Sequence, residues 1–413
     1  DPTVRVCLSD KGSTVVVWSR DSYRREGLHH LSTSGCYREL SGGRDECCRL
    51  VEVAAGERGS LADRLLSGGH ITRAECSTVK SAFALPSPIR FHPKIKKPVN
   101  PSSGTFRGRP IVSTVRSACR PLDKYLALIT RPLLSKIPFC LTSTADLLAR
   151  LRDLNERLPT DFDFLEDLGI YTADIVSLFP SVRWDAGVSA CVAFYSEWRP
   201  WLARLFASEK KLAPPSPGLF ADLVDHVVRN SYIYFAETDS YYHQTSGVAM
   251  GACISVYVAN CFVWSAMRPV CVDLGLPWKP SSEDKDKDDG WWTPRSSPPL
   301  SSGVECGSSD IIFLARYVDD FVVISRSALS FDFVLSSISS NSNSASIVFT
   351  TPPAAGDDKK PPRSDVPFLD LTLSINSAAG LIQSSPRLDS SPGCSYLHGG
   401  SCHPPPLLRS IPY

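Results

Sequence analysis

Two aspartates stand where acids are costly. Asp319 and Asp320 follow Tyr317-Val318 between the apolar runs Ile311-Ile312-Phe313-Leu314 and Phe321-Val322-Val323-Ile324. An ionised carboxylate taken out of water has to be paired or bound to a metal. Aspartate is also a favoured turn residue, so a plain hairpin tip is the simplest explanation of the pair by itself. A third acid shifts the balance: Asp174 ends another apolar run, Gly169 to Val176, and Phe179 stands five residues on. Adjacent strands would bring Asp174 beside Asp319 and Asp320, presenting hard oxygen ligands to two divalent ions. Such ions activate an attacking hydroxyl and stabilise a leaving pyrophosphate, the requirements of nucleotidyl transfer. That chemistry needs no nucleophilic side chain, and none with a convincing partner is visible.

The elements that must hold these acids follow from periodicity and turn residues. The apolar runs on either side of Asp319 and Asp320 read as a hairpin with the acids at its tip. Gly169 to Val176 reads as a strand and Asp185 to Phe206 as a helix whose apolar face is broken at Pro200. Tyr232 to Tyr242 reads as a strand or hairpin, Gly247 opens a turn, and Ala252 to Met267 is an apolar helix. Upstream, Arg90 to Ser113 reads as a hairpin with a long tip over Pro98 to Gly104, and 121–157 reads as helical. The first 85 residues, with a β-branched run at Thr14 to Trp18 and a helical pattern at Ser60 to Leu66, read as a supporting lobe. Lys279 to Ser309, rich in Ser, Pro, Asp, Lys and Gly, reads as a surface insertion. The tail reads as one strand pair, Phe368 to Ile375 with Gly380 to Gln383, before a Pro/Ser/His-rich end.

Composition narrows the class. With 413 residues, 43% hydrophobic and 21% charged, the chain is globular, and neither fibrous nor largely disordered. The net charge of +1 conceals segregation: nine basic residues from Arg90 to Lys124 face one acid, Asp123. That is the footprint of a polyanion-binding surface. The fourteen cysteines contain no CxxC pair and read as reduced and intracellular. Gly247 to Met267 has the length of a membrane span, but Ser255, Asn260 and Ser265 favour a buried helix. No signal peptide is visible. Cys394, His398, Cys402 and His403 have zinc-ligand chemistry in a spacing that fits no usual finger.

Four strings carry a resemblance: Phe106-Arg107-Gly108-Arg109-Pro110-Ile111-Val112-Ser113, Asp174 to Val182, Gln244 to Gly251, and Tyr317-Val318-Asp319-Asp320. In this order they resemble the fingers and palm motifs of reverse transcriptases. More narrowly, Phe91-His92-Pro93-Lys94-Ile95-Lys96-Lys97, Ala249-Met250-Gly251, Val366-Pro367-Phe368-Leu369-Asp370-Leu371, Tyr396-Leu397-His398 and Ser401-Cys402-His403-Pro404 are similar to Penelope-like retroelements, a telomerase-related branch. The opening string Ser9 to Val17 fits the same family, so the resemblance runs from about Ser9 to Tyr413.

The resemblance implies an α+β right-hand polymerase of palm and fingers, its antiparallel palm sheet backed by helices and its thumb truncated. The implied divisions are a supporting segment over 1–85, fingers over 86–165, and palm over 166–278 and 310–385. The insertion at 279–309 interrupts the palm, and 386–413 begins a thumb or tail. The implied activity is RNA-directed DNA synthesis with two Mg2+ ions, or Mn2+ in their place, on an RNA template, a DNA primer and deoxynucleoside triphosphates. Asp174, Asp319 and Asp320 would be the metal ligands and catalytic carboxylates. Lys94 and Arg109 would neutralise the triphosphate, Phe179 would screen the sugar 2′ position, Gln244 and Gly247 would line the nucleotide and template side, and Tyr317 would sit at the primer end. Residence in the nucleus follows from the family's way of life, no membrane association follows from the buried-helix reading of Gly247 to Met267, and the oligomeric state stays open. The long insertion, the unmatched lysine after the aspartate pair (Lys359 and Lys360 are weak candidates) and the missing GIY-YIG nuclease motif depart from the family. Rival readings are a telomerase-like or intron-type reverse transcriptase, a viral RNA polymerase, which Phe179 disfavours, and a decayed or domesticated RNA-binding copy.

Overall fold

The computed structural model describes residues 1–10, 14–158, 162–209, 211–276, 310–341, 347–351 and 362–387. The insertion at 279–309, Lys359, Lys360 and the Cys394 to His403 group lie outside the described residues.

The chain opens with an antiparallel ribbon of β1 (Val4–Leu8) and β2 (Val15–Ser19). The Ser19 hydroxyl then accepts from the Ser22 amide and starts α1 (Arg20–Thr33). After β3 (Tyr37–Glu39) come α2 (Gly43–Ser67) and α3 (Arg73–Ser81), the latter opened by a capping box of Thr72 and Glu75. The basic segment forms the expected hairpin, β4 (Ser87–Pro93) with β5 (Gly108–Val112), and its tip is tied down by Glu26 of α1. That buried carboxylate accepts from the Asn100 amide, the Ser103 hydroxyl and the Gly108 backbone N–H.

The helical reading over 121–157 resolves into two helices, α4 (Arg120–Leu134) and α5 (Thr144–Asn155). The break has a cause outside the local sequence: Phe139 and Leu141 are drawn into backbone hydrogen bonds with Arg316. Next come α6 (Phe162–Glu166), β6 (Gly169–Ile175), α7 (Leu178–Ser181) and α8 (Trp184–Ser208). The last runs straight through Pro200, because Phe194, Tyr195, Trp198, Leu202 and Phe206 bury both of its halves. After α9 (Pro217–Arg229), the strands β7 (Tyr232–Phe235) and β8 (Ser240–Gln244) make a hairpin, and α10 (Ser255–Asp273) is the apolar helix. Among the described residues no helix is long and apolar enough to cross a membrane. The remaining elements are β9 (Ile311–Tyr317), β10 (Asp320–Ser325), α11 (Ala328–Asn341), β11 (Phe349–Thr350), β12 (Val366–Phe368), β13 (Leu371–Asn376) and β14 (Leu381–Pro386). The expected strand pair of the tail is a three-stranded meander, since Leu369, at φ 54°, turns the chain between β12 and β13.

Two sheets matter for the site. One has the order β11-β6-β10-β9 and is antiparallel throughout. Alternation along its strands sends Tyr171, Ala173, Ile175, Phe321 and Val323 into a core shared with α4, α8, α9, α10 and α11. Ile170, Phe313, Val322 and Ile324 point the other way, onto α5 and the meander. The second sheet, β3-β8-β7-β4-β5, contains one parallel pairing, β4 with β7.

Asp123, the lone acid of the basic segment, fastens α10. Buried at 1% exposure, its carboxylate accepts from the Cys253 and Ile254 amides at 2.9 Å each, and Arg120 lies against it. Removing it strands two backbone donors at a helix start. Asp123→Ala is expected to cost about 2–3 kcal/mol in urea denaturation, and a change below about 0.5 kcal/mol, the range of surface substitutions, would show that the contact does not hold the helix.

Candidate active site

Strand pairing sets two of the three aspartates side by side. Strands β6 and β10 pair with Asp320 opposite Asp174, and β10 and β9 pair with Asp320 opposite Tyr317. On the far side Thr350 of β11 is the partner of Asp174. Directly opposed residues of antiparallel strands share a face, with Cβ atoms about 4.5–5.5 Å apart. Tyr317, Asp320, Asp174 and Thr350 therefore form one row across the whole sheet. It lies on the face that packs on α5 and the meander, at the strand ends where this cover stops: Asp174 and Tyr317 are exposed and Asp320 is half-buried. Asp319 is in the turn itself, and its carbonyl accepts from the Ile175 amide at 3.0 Å, closing the turn onto β6.

The other strings are linked to this row by backbone hydrogen bonds. The Val248 amide donates to the Phe179 carbonyl at 2.9 Å and the Gly247 amide to the Val182 carbonyl at 3.0 Å, while Trp184 Nε1 donates back to the Gly247 carbonyl at 2.8 Å. Further along, the Val112 amide of β5 donates to the Met250 carbonyl at 2.8 Å. Four strings scattered from 106 to 320 in the sequence are thus one connected structure.

Gly247 makes a close backbone approach. Its φ is 73°, and a Cβ there would stand 2.8 Å from the Phe179 carbonyl oxygen and the Pro180 Cα. The close approach it permits is to the segment after Asp174. Gly251 is tighter still, at φ 134° with the Val112 carbonyl oxygen only 2.0 Å from where a Cβ would stand. Gln244 is likewise turned inward: at 2% exposure, its Oε1 accepts from Ser231 and its Nε2 donates to the Ser246 carbonyl. It supports the turn from within.

Lys94 and Arg109 lie together on the β4–β5 hairpin. Arg109 is ion-paired to Asp10, a partner that sequence reasoning missed. Burial, reinforced by the Arg109 charge, pulls the Lys94 ammonium below the usual lysine range, and Asp10 opposes that shift. Lys96, Lys97 and Arg107 are exposed nearby, so the hairpin does present its cations outward. Phe179 is half-buried and packs against the helical core.

Beneath the hairpin tip sits Arg316, which is wholly buried and whose guanidinium burial pulls below the ordinary arginine value. A cation inside the apolar run of β9 and an asparagine, Asn260, inside the apolar α10 were the available signals, and the two are bonded to each other. Thr350 had no comparable signal, because β11 is two residues long and reaches β6 only through tertiary pairing.

Asp174 and Asp320 supply oxygen ligands only, side by side at an open strand end, which suits a hard cation that takes its remaining ligands from phosphate and water. Among the described residues no group of three or more His, Cys, Asp and Glu side chains stands ready as a metal cage.

No protein-family model matches the chain, and no curated protein matches it by sequence. Its fold is similar to that of apo telomerase from Candida tropicalis, with a TM-score of 0.54 and 11% identity over 93% of this chain and 56% of that one. It is also similar to telomerase from Candida albicans in complex with a TWJ fragment of telomeric RNA, with a TM-score of 0.50 and 11% identity over 91% of this chain and 53% of that one. The chain thus spans about half the length of the telomerase chains it matches.

The contact at Gly247 is testable. Gly247→Ala combines a disfavoured φ with a backbone clash and is expected to cost about 2–3 kcal/mol in chemical denaturation. Unchanged stability would contradict the packing of this turn on Phe179 and Pro180. We conclude that the chain has a telomerase-like fold of mixed helices and sheets, with its two in-register aspartates at the open end of one sheet.

Proposed function

We propose that the chain is an RNA-directed DNA polymerase, a reverse transcriptase. The observation that carries this reading is the register of β6 and β10, which sets Asp320 opposite Asp174 at an exposed sheet end with Asp319 in the adjoining turn. Asp174 and Asp320 would hold two Mg2+ ions, or Mn2+ in their place, with Asp319 as a third carboxylate. The ions, when bound, supply the charge that activates a primer 3′ hydroxyl and stabilises the leaving pyrophosphate. Lys94 and Arg109 neutralise the triphosphate, the Asp10 carboxylate marking where a phosphate oxygen would lie against the guanidinium. Phe179 screens the sugar 2′ position, and Tyr317, in the same row as the aspartates, stands where a primer end would come.

Two assignments of the polymerase have support of their own. The Penelope-like strings favour a retroelement enzyme, which copies a supplied RNA on a DNA primer in the nucleus. The fold likeness favours a telomerase-like enzyme. Extension on any supplied RNA template supports the first, and extension confined to one bound RNA supports the second.

Primer extension on an RNA template tests the reaction itself. With Mg2+, the unmodified chain is expected to add deoxynucleotides and to reject ribonucleotides. Asp319→Asn together with Asp320→Asn should lower the rate at least about a thousandfold, since each tenfold corresponds to about 1.4 kcal/mol of the charge stabilisation lost. Undiminished extension by the double variant would remove the aspartates from the chemistry. Template-primer binding without any extension would instead favour an RNA-binding protein.

A further inference from the structure

Arg316 has a cost that stability does not explain. The residue is wholly buried, two places before the hairpin turn and on the helix side of the sheet. Its Nη1 donates to Asn260 Oδ1 at 2.5 Å and its Nη2 to the Asn260 carbonyl at 2.8 Å. Nη1 also donates to the Val318 carbonyl at 3.2 Å. None of these acceptors is a carboxylate, and Nε has no hydrogen-bond partner. A buried charge set among neutral acceptors is a poor way to stabilise a core, where apolar side chains of like volume often do as well or better.

What the arrangement does provide is position. Val318 has a φ of 56°, a strained conformation for a β-branched residue, so its turn has to be held by its surroundings. The backbone of Arg316 is fixed from outside, its amide donating to the Phe139 carbonyl at 2.8 Å and its carbonyl accepting from the Leu141 amide at 2.7 Å. The fork of the side chain then joins α10 to the first residue of the turn, and the second residue is Asp319. Arginine suits this task because its planar guanidinium reaches several acceptors in fixed directions, which an ammonium does not.

We propose that Arg316, seated on Asn260, is a positioning residue that clamps the Val318 carbonyl and so sets Asp319 and Asp320 against Asp174. The proposal rests on the polymerase reading. Because Mg2+ demands near-ideal octahedral geometry, a loosened turn should harm Mg2+-supported synthesis most. Mn2+ accepts the same oxygen ligands with a looser demand on angle, and should recover part of the loss.

The test compares Arg316→Lys, which keeps the charge and loses the fork, with Asn260→Ala, which removes one acceptor, and Asn260→Asp, which keeps both. Primer extension is measured with Mg2+ and with Mn2+, alongside template-primer binding and thermal melting by circular dichroism. Arg316→Lys and Asn260→Ala are expected to remain folded and to bind template-primer normally, with kcat in Mg2+ lowered by about 100-fold and the Mn2+ to Mg2+ ratio of kcat raised about tenfold. Asn260→Asp should behave like the unmodified chain. A folded Arg316→Lys with an unchanged Mn2+ to Mg2+ ratio overturns the inference while the polymerase reading stands. Unfolding of both Arg316→Lys and Asn260→Ala also overturns it, in favour of a purely structural role. An unmodified chain that extends no primer with either ion overturns the polymerase reading and this inference together.

Discussion

The pairing of β6 with β10 is the constraint on which the site depends. Six residue pairs, from Ser325 with Gly169 to Asp320 with Asp174, bring two distant stretches of chain into one register. A slip of a single residue would turn one aspartate to the opposite face of the sheet. The register is protected because both faces of these strands are buried over most of their length, with helices on one side and α5 with the meander on the other. The last row lies at the end where the cover stops, with Asp174 and Tyr317 exposed and Asp320 half-buried. The fold therefore holds the two acids in register at the end of an apolar sandwich.

A second layer of organisation is made of backbone. The segment after Asp174, the turn at Gly247, the edge of β5 and the hairpin tip at Asp319 are joined amide to carbonyl. Such bonds transmit position without depending on flexible side chains. They also explain the glycines at 247 and 251: both lie where one backbone passes directly over another. Asp123 and Asn260 act on the same structure through α10, one by fastening its first turn and the other by seating Arg316.

Much of this is legible in the amino-acid sequence because it rests on local pattern. The runs around Asp319 and Asp320 are continuously apolar and flank a turn, and so read as the hairpin that β9 and β10 form. Gly169 to Val176 reads as β6 for the same reason, and a Pro/Ser/Gly-rich tip marks the basic hairpin. What escapes depends on contacts between distant segments. The split between α4 and α5 comes from Phe139 and Leu141 pairing with β9, and the turn at Leu369 from a left-handed residue that is not a glycine. The surroundings of Gln244 and Gly247 are equally non-local: one is buried under its own turn and the other leans on Phe179 and Pro180. Asp10, on Arg109, is invisible to any reading of spacing.

Binding of divalent ions at the row made by Asp174 and Asp320 can be tested without relying on turnover. Fe2+ substituted for Mg2+ reduces added hydrogen peroxide to hydroxyl radicals where it binds, ascorbate returning the Fe3+ to Fe2+, and mass spectrometry locates the resulting backbone cuts. The cuts are expected to be confined to the neighbourhoods of Asp174 and of Val318 to Asp320, suppressed by excess Mg2+ and absent when the aspartates are replaced by asparagine. Cuts that fall elsewhere, or that persist in the asparagine variant, would contradict a metal site at this sheet end.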